Sequence, residues 1–185
     1  MLKPGCRQWS DALKRPCRFY LHPSKSRQPG IYAITQLLTY YSNQHLLAYY
    51  IDLHAHANKR GIFTYGNAMP GAQHVEALLF SKLCAVNSAA FDFSACNFTE
   101  RNMCTKDKDG TTKDGAGRVA LWTRTNQRLT HLYTIEANYN GARHVPEMAA
   151  AAAEGARCAS PVPAARQGAA FDVPAWHQVS SLLLT

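Results

Sequence analysis

The stretch that most constrains this chain is an apolar and aromatic run, Ala48-Tyr49-Tyr50-Ile51-Asp52-Leu53, which ends in His54-Ala55-His56 and passes into the basic, glycine-broken Asn58-Lys59-Arg60-Gly61. Two tyrosines, an isoleucine and a leucine around one carboxylate suit a largely buried strand better than a surface helix. Imidazoles at the end of such a strand stand where sheets commonly present metal and substrate sites. The competing reading is structural: most histidines are hydrogen-bonded framework residues, and at most one of His54 and His56 is expected to reach any given site.

Around this strand the composition supports one domain, or part of a larger one. Hydrophobic residues make up 46% of the 185 residues and charged residues 17%, so a core is feasible and wholesale disorder is excluded. Lys and Arg number 20 against 12 Asp and Glu, a net charge of +8 that favours acidic partners. The six cysteines form no CxxC pair and follow no secretory signal, which implies free thiols in a reducing compartment. No window holds the roughly 18 uninterrupted apolar residues of a membrane span. The expectation is a soluble, intracellular chain with no membrane partner.

Prolines, glycines and basic residues make residues 1–30 irregular. Ile31, Ile34, Leu37, Leu38 and Tyr41 then recur at three- and four-residue steps, predicting a helix with one apolar face. After the turn signal Met69-Pro70-Gly71, a second helix is expected to pack Val75, Leu78, Leu79, Leu83 and Val86 against the sheet. Phe91-Asp92-Phe93 reads as a short strand, and residues 97–117 as an exposed polar loop. Residues 118–122 and 130–136 read as two strands in a hairpin-like arrangement. The second ends at Glu136, which is either a paired structural acid or a catalytic one. Residues 148–170 form an Ala/Pro-rich linker, and 171–185 a helix that is cut short. The fold class expected is α/β, a mixed sheet flanked by helices.

Four ordered blocks carry a more specific likeness. They are Asp52-Leu53-His54-Ala55-His56-Ala57-Asn58-Lys59-Arg60-Gly61 with Tyr65-Gly66-Asn67; Cys96-Asn97-Phe98-Thr99-Glu100-Arg101-Asn102-Met103; Gly115-Ala116-Gly117-Arg118-Val119-Ala120; and Tyr133-Thr134-Ile135-Glu136-Ala137-Asn138-Tyr139-Asn140. Together they resemble the cytosolic carboxypeptidases of the zinc metallocarboxypeptidase superfamily, peptidase M14. The resemblance implies the C-terminal half of that fold over residues 16–147, following an irregular segment at 1–15. It implies a zinc held by a His and a Glu of an HxxE motif and by a later His, which His54 matches, with Glu136 matching the catalytic glutamate. It further implies an Asn-Arg pair that grips the substrate's terminal carboxylate; Cys17-Arg18 occupies that place, with Cys17 departing from Asn. The substrates implied are glutamates at C-termini or side-chain branches, as on tubulin tails in the cytoplasm. Lys59, Arg60, Arg101 and Arg118 are then the cations expected along a polyglutamate path.

One departure bears on activity. No HxxE precedes His54, and His144-Val145-Pro146-Glu147 follows Glu136 and contains a proline that breaks the helix such a motif prefers. One histidine does not hold a zinc, so the chain by itself is expected to be inactive. The alternative is a non-catalytic module that binds acidic tails through Arg18 and the basic loop. Nucleic acid is not the expected partner, since basic and aromatic residues do not interleave and no recognition-helix motif is present.

Overall fold

The computed structural model describes residues 19–104 and 116–142. The expectations for residues 1–15, Cys17, Arg18, His144, Glu147, the 148–170 linker and the 171–185 helix lie outside them. The chain divides into two compact units. The described parts of the first are 19–52, 66–77, 97–104 and 116–134; those of the second are 53–65, 78–96 and 135–142.

In chain order the elements are α1 (Pro29–Asn43), β1 (Tyr49–His56), β2 (Ile62–Tyr65), α2 (Gly71–Asn87), the short α3 (Glu100–Cys104), α4 (Gly117–Arg124) and β3 (His131–Asn138). The strands form a mixed sheet in the order β1-β3-β2, so the α/β class expected from the sequence is the one observed. β3 takes the middle place and is buried at every position from Leu132 to Glu136, as a strand flanked on both sides requires.

In the first unit, α1 starts with Pro29 in its first turn, where a missing N–H costs nothing. The helix lies where the three- and four-residue spacing puts it, but the face differs from expectation. Thr35 and Ser42 are its buried residues, whereas Ile34, Leu37 and Tyr41 are exposed. The Thr35 hydroxyl donates to the Ile31 carbonyl at 2.7 Å, so its burial leaves no donor unpaired. α1 packs against α4, whose Ala120 and Leu121 have no exposed surface.

Residues 118–122, expected as a strand, form this helix α4 instead. The Val119 and Ala120 amides both bond the Ala116 carbonyl and start a helical turn. A run of four apolar residues after an arginine does not distinguish strand from buried helix by period alone. Gly117 admits the Tyr50 ring, since a Cβ there would stand 2.0 Å from the Tyr50 hydroxyl oxygen. The connection to β3 turns through Asn126 and Gln127, both at positive φ (51° and 62°), and the strands beside β3 are β1 and β2 rather than a hairpin partner. The guanidinium of Arg124 ties in the incoming chain, donating to the carbonyls of Tyr20 at 3.3 Å and Leu21 at 2.7 Å.

α2 is also present as expected and meets strand residues, but through its small side chains. Ala77, Ser81 and Cys84 are buried, while Val75, Leu79, Leu83 and Val86 are half exposed or more. In the first unit the Tyr133 hydroxyl donates to the Ala77 carbonyl at 3.2 Å; in the second, the hydroxyls of Thr64 and Ser81 lie 2.6 Å apart. Phe91 forms a single parallel bridge to Ile62 in place of a strand, and a 3-10 turn at Phe93–Ala95 follows, capped by the Asp92 carboxylate. Phe98 and Met103 are buried, so residues 97–104 are not the exposed loop expected.

The exposure pattern sets a comparison. Leu121→Ala removes a fully buried side chain and should cost about 2–5 kcal/mol of unfolding free energy, whereas Leu83→Ala should cost less than about 1 kcal/mol. Urea unfolding of the two variants measures the difference; equal losses would mean that the outer stripe of α2 is covered.

Candidate functional site

Within the second unit the expected metal ligand and the expected catalytic acid come together. His54 lies on β1 and Glu136 on β3, its neighbour in the sheet. The imidazole Nδ1 stands 3.7 Å from the carboxylate Oε1. That is within ion-pair reach and beyond hydrogen-bond length, so nitrogen and oxygen face one another across a short gap. The His54 side chain is 30% exposed and that of Glu136 11%, so the pair opens to solvent from the imidazole side.

The second imidazole does other work. His56 is two residues from His54 in a strand and so shares its face, but its Nδ1 accepts the backbone N–H groups of Asn58 at 3.2 Å and Lys59 at 2.9 Å. Its ring meets Phe63 edge-on at 5.3 Å. His56 therefore caps the turn that leaves β1, and one of the two histidines reaches the carboxylate.

The expected substrate cations fall into different settings. In the second unit, Lys59 donates through Nζ to the Ala95 carbonyl and sits 4.3 Å from the centre of the Phe63 ring, a cation–π contact that holds the side chain down. Arg60 is exposed. In the first unit, Arg118 is buried, with its Nη2 donating to Asn102 Oδ1 at 2.8 Å and its Nε to the Gly66 carbonyl at 3.4 Å. Its own carbonyl accepts from Asn67 Nδ2 at 2.9 Å, so the residue joins three parts of its unit. Arg101 is exposed, and Cys17 and Arg18 lie outside the described residues.

Sequence reasoning passed over Asn138, which is buried two positions after Glu136. Its amide bonds five backbone groups of the turns that follow β1 and β3. The signal was an asparagine in an apolar strand, a position that asparagine seldom occupies.

Among the described residues no group of three or more His, Cys, Asp or Glu side chains is placed to hold a metal ion. A zinc that keeps a position open for water takes three protein ligands, so these residues alone do not make up the implied zinc centre. The described cysteines, Cys84, Cys96 and Cys104, form no disulfide. Burial pushes Cys84 up to about 11 and also raises Cys96, whose Sγ lies 3.2 Å from the Thr64 hydroxyl. Both stay protonated near neutrality and serve packing. No helix among the described residues is long and apolar enough to cross a membrane.

A mixed α/β sheet that sets an imidazole and a carboxylate on adjacent strands agrees with a hydrolase of the carboxypeptidase class, and comparison with known proteins makes the assignment. No family model matches the chain. Cytosolic carboxypeptidase-like protein 5 of Rattus norvegicus is 44% identical over 139 residues, 74% of this chain and 16% of the relative. The protein of the same name in Danio rerio is 48% identical over 121 residues, 64% of this chain and 13% of the relative. Cytosolic carboxypeptidase 6 of Caenorhabditis elegans is 34% identical over 130 residues, 69% and 26% respectively. The chain belongs to the cytosolic carboxypeptidase family, and it spans 16% or less of the length of the carboxypeptidase-like protein 5 relatives named here.

The thiols give a pH dependence with a definite sign. A Cys84 thiol raised from 9.0 to about 11 holds its proton in the folded chain over a range where the unfolded chain has lost it. Its contribution to stability is whole below pH 9 and declines as pH rises toward 11. Unfolding midpoints measured across that interval should fall, and the fall should be shallower in Cys84→Ala.

Proposed function

We propose that this chain supplies the His54–Glu136 side of a zinc carboxypeptidase site that removes glutamate from protein C-termini or side-chain branches, as on tubulin tails in the cytoplasm. The observation that carries this is the approach of Nδ1 and Oε1 to 3.7 Å on neighbouring strands. Family membership supports it. In this reading Glu136 takes the proton of an attacking water and passes it to the leaving amine, a transfer its position beside a solvent-open gap allows. Zinc is the group the family likeness implies. His54 would be one ligand, and the remaining ligands would have to come from residues other than those described. The net charge of +8 suits an acidic substrate. Arg18, with Cys17 beside it, would grip the terminal carboxylate, and Arg60 and Lys59 would contribute positive potential along the acidic chain.

By itself the chain is not expected to turn over, because one imidazole and one carboxylate do not retain zinc. The same charge favours a second reading, a module that binds acidic tails without cleaving them. Elemental analysis of the purified chain beside His54→Ala separates these. Zinc well below one equivalent with no hydrolysis of a glutamate-ended peptide is the expected result. One equivalent that disappears in His54→Ala, accompanied by turnover, would show a complete site within the chain. In a longer protein that retains zinc, Glu136→Gln should keep the metal and lose about 10²–10⁴-fold in kcat. There His54→Ala should lose metal first; equal metal loss in the two variants would sink the division of roles.

A further inference from the structure

The connection from β1 to β2 has to step over a strand. β1 ends at His56 and β2 begins at Ile62, yet β3 lies between them. Residues 57–61 therefore cross the end of β3, spanning two strand spacings, or about 10 Å. The residue at that end is Asn138, which is 2% exposed. Its Nδ2 donates to the carbonyls of Lys59 at 2.9 Å and His56 at 3.1 Å, with that of Ala57 at 3.5 Å. Its Oδ1 accepts the N–H groups of Asn140 at 2.8 Å and Gly141 at 3.3 Å. Three acceptors on one side and two donors on the other leave one amide orientation that satisfies them all. The backbone adds to the tie: Asn138 N–H donates to the Gly61 carbonyl at 3.1 Å, and Tyr139 N–H to that of His56 at 3.3 Å.

This tie bears on the site because Asn138 follows Glu136 by two residues on β3, and His56, whose carbonyl it bonds, follows His54 by two on β1. His54 stands beside Glu136 and His56 beside Tyr139, so β1 and β3 run parallel, and residues 57–130 separate them in sequence. No turn joins them. Side chains alternate along a strand, so a slip of one residue would bring Leu53 or Ala55 to the place of His54.

We propose that Asn138 is a positioning residue for the His54–Glu136 pair: its amide fastens the crossing loop to the end of β3 and holds β1 in the register in which imidazole and carboxylate meet. The inference rests on the functional reading of that pair, but the register is measurable without metal or turnover. Aspartate at 138 keeps the shape and the acceptor, loses all three donor contacts, and turns a negative charge toward the loop carbonyls.

The test uses the full 185-residue chain as wild type, as Asn138→Asp, and as Thr64→Val, which removes a buried hydroxyl of the same unit outside the loop and the site. The readouts are amide hydrogen exchange over 57–61 and the nuclear Overhauser contact between the His54 ring and the Glu136 side chain. In Asn138→Asp the Lys59 and Gly61 amides should exchange at least about tenfold faster and the contact should vanish. In Thr64→Val both should persist at a comparable loss of stability. Retention of the contact in Asn138→Asp, or its equal loss in Thr64→Val, overturns the proposal. If the Asp variant does not fold, Asn138→Ser, which keeps a short donor, carries the same comparison with the same two outcomes. Contact and exchange hold or fail irrespective of zinc and hydrolysis, so failure here is distinguishable from failure of the carboxypeptidase reading.

Discussion

β3 enters the sheet between two strands that follow each other in sequence, and its backbone takes up hydrogen bonds that β1 and β2 do not make with each other. Buried backbone donors and acceptors must be paired, and here both flanks of one strand meet that demand. The same placement explains why β3 is buried almost throughout and why its buried polar members are so specifically bonded. Glu136 faces His54, and Asn138 closes the strand by satisfying the loop that passes over it. A polar residue tolerated in such a strand has to have its partners supplied by the fold.

The helices meet their neighbours through short side chains. Thr35 and Ser42 on α1, and Ala77, Ser81 and Cys84 on α2, are the buried positions, and the Thr35 and Ser81 hydroxyls and the Ala77 carbonyl have internal partners. Small residues let backbones approach closely, and bulkier ones would hold them apart. Gly117 shows the limiting case within the first unit, since the Tyr50 ring occupies the space a side chain would need. In the same unit the Arg118 guanidinium spends its donors on Asn102 and the Gly66 carbonyl, so a charge expected to face substrate also braces the framework.

How far the sequence was legible follows from these particulars. The two long helices, the His-bearing strand and the buried strand that carries Glu136 stand where spacing and composition place them, with β3 running two residues further, to Asn138. The helix faces were misread because hydrophobicity was taken as the guide to burial, whereas close packing selected Thr35, Ser42, Ala77 and Ser81. Residues 118–122 were misread as a strand because a short apolar run carries no period, and the Ala116 carbonyl that starts the helix is invisible to pattern. At the site, His54 and Glu136 are singled out by residue blocks rather than by physical chemistry. The separate duty of His56 and the whole role of Asn138 depend on the crossing loop, which exists only once β3 is in place.

That crossing also dictates an order of events. β1 and β2 are joined by five residues, 57–61, but the seat between them is filled by a strand that begins at His131. A chain made from its N-terminus presents both strands long before the third is available, with the facing edges of the pair unsatisfied. Closure then waits on a contact between distant parts of the sequence, the kind that loop entropy makes slow. Until it occurs, the two edges are templates for any other extended segment nearby. Among the described strands, the imidazole and the carboxylate meet only through that long-range closure.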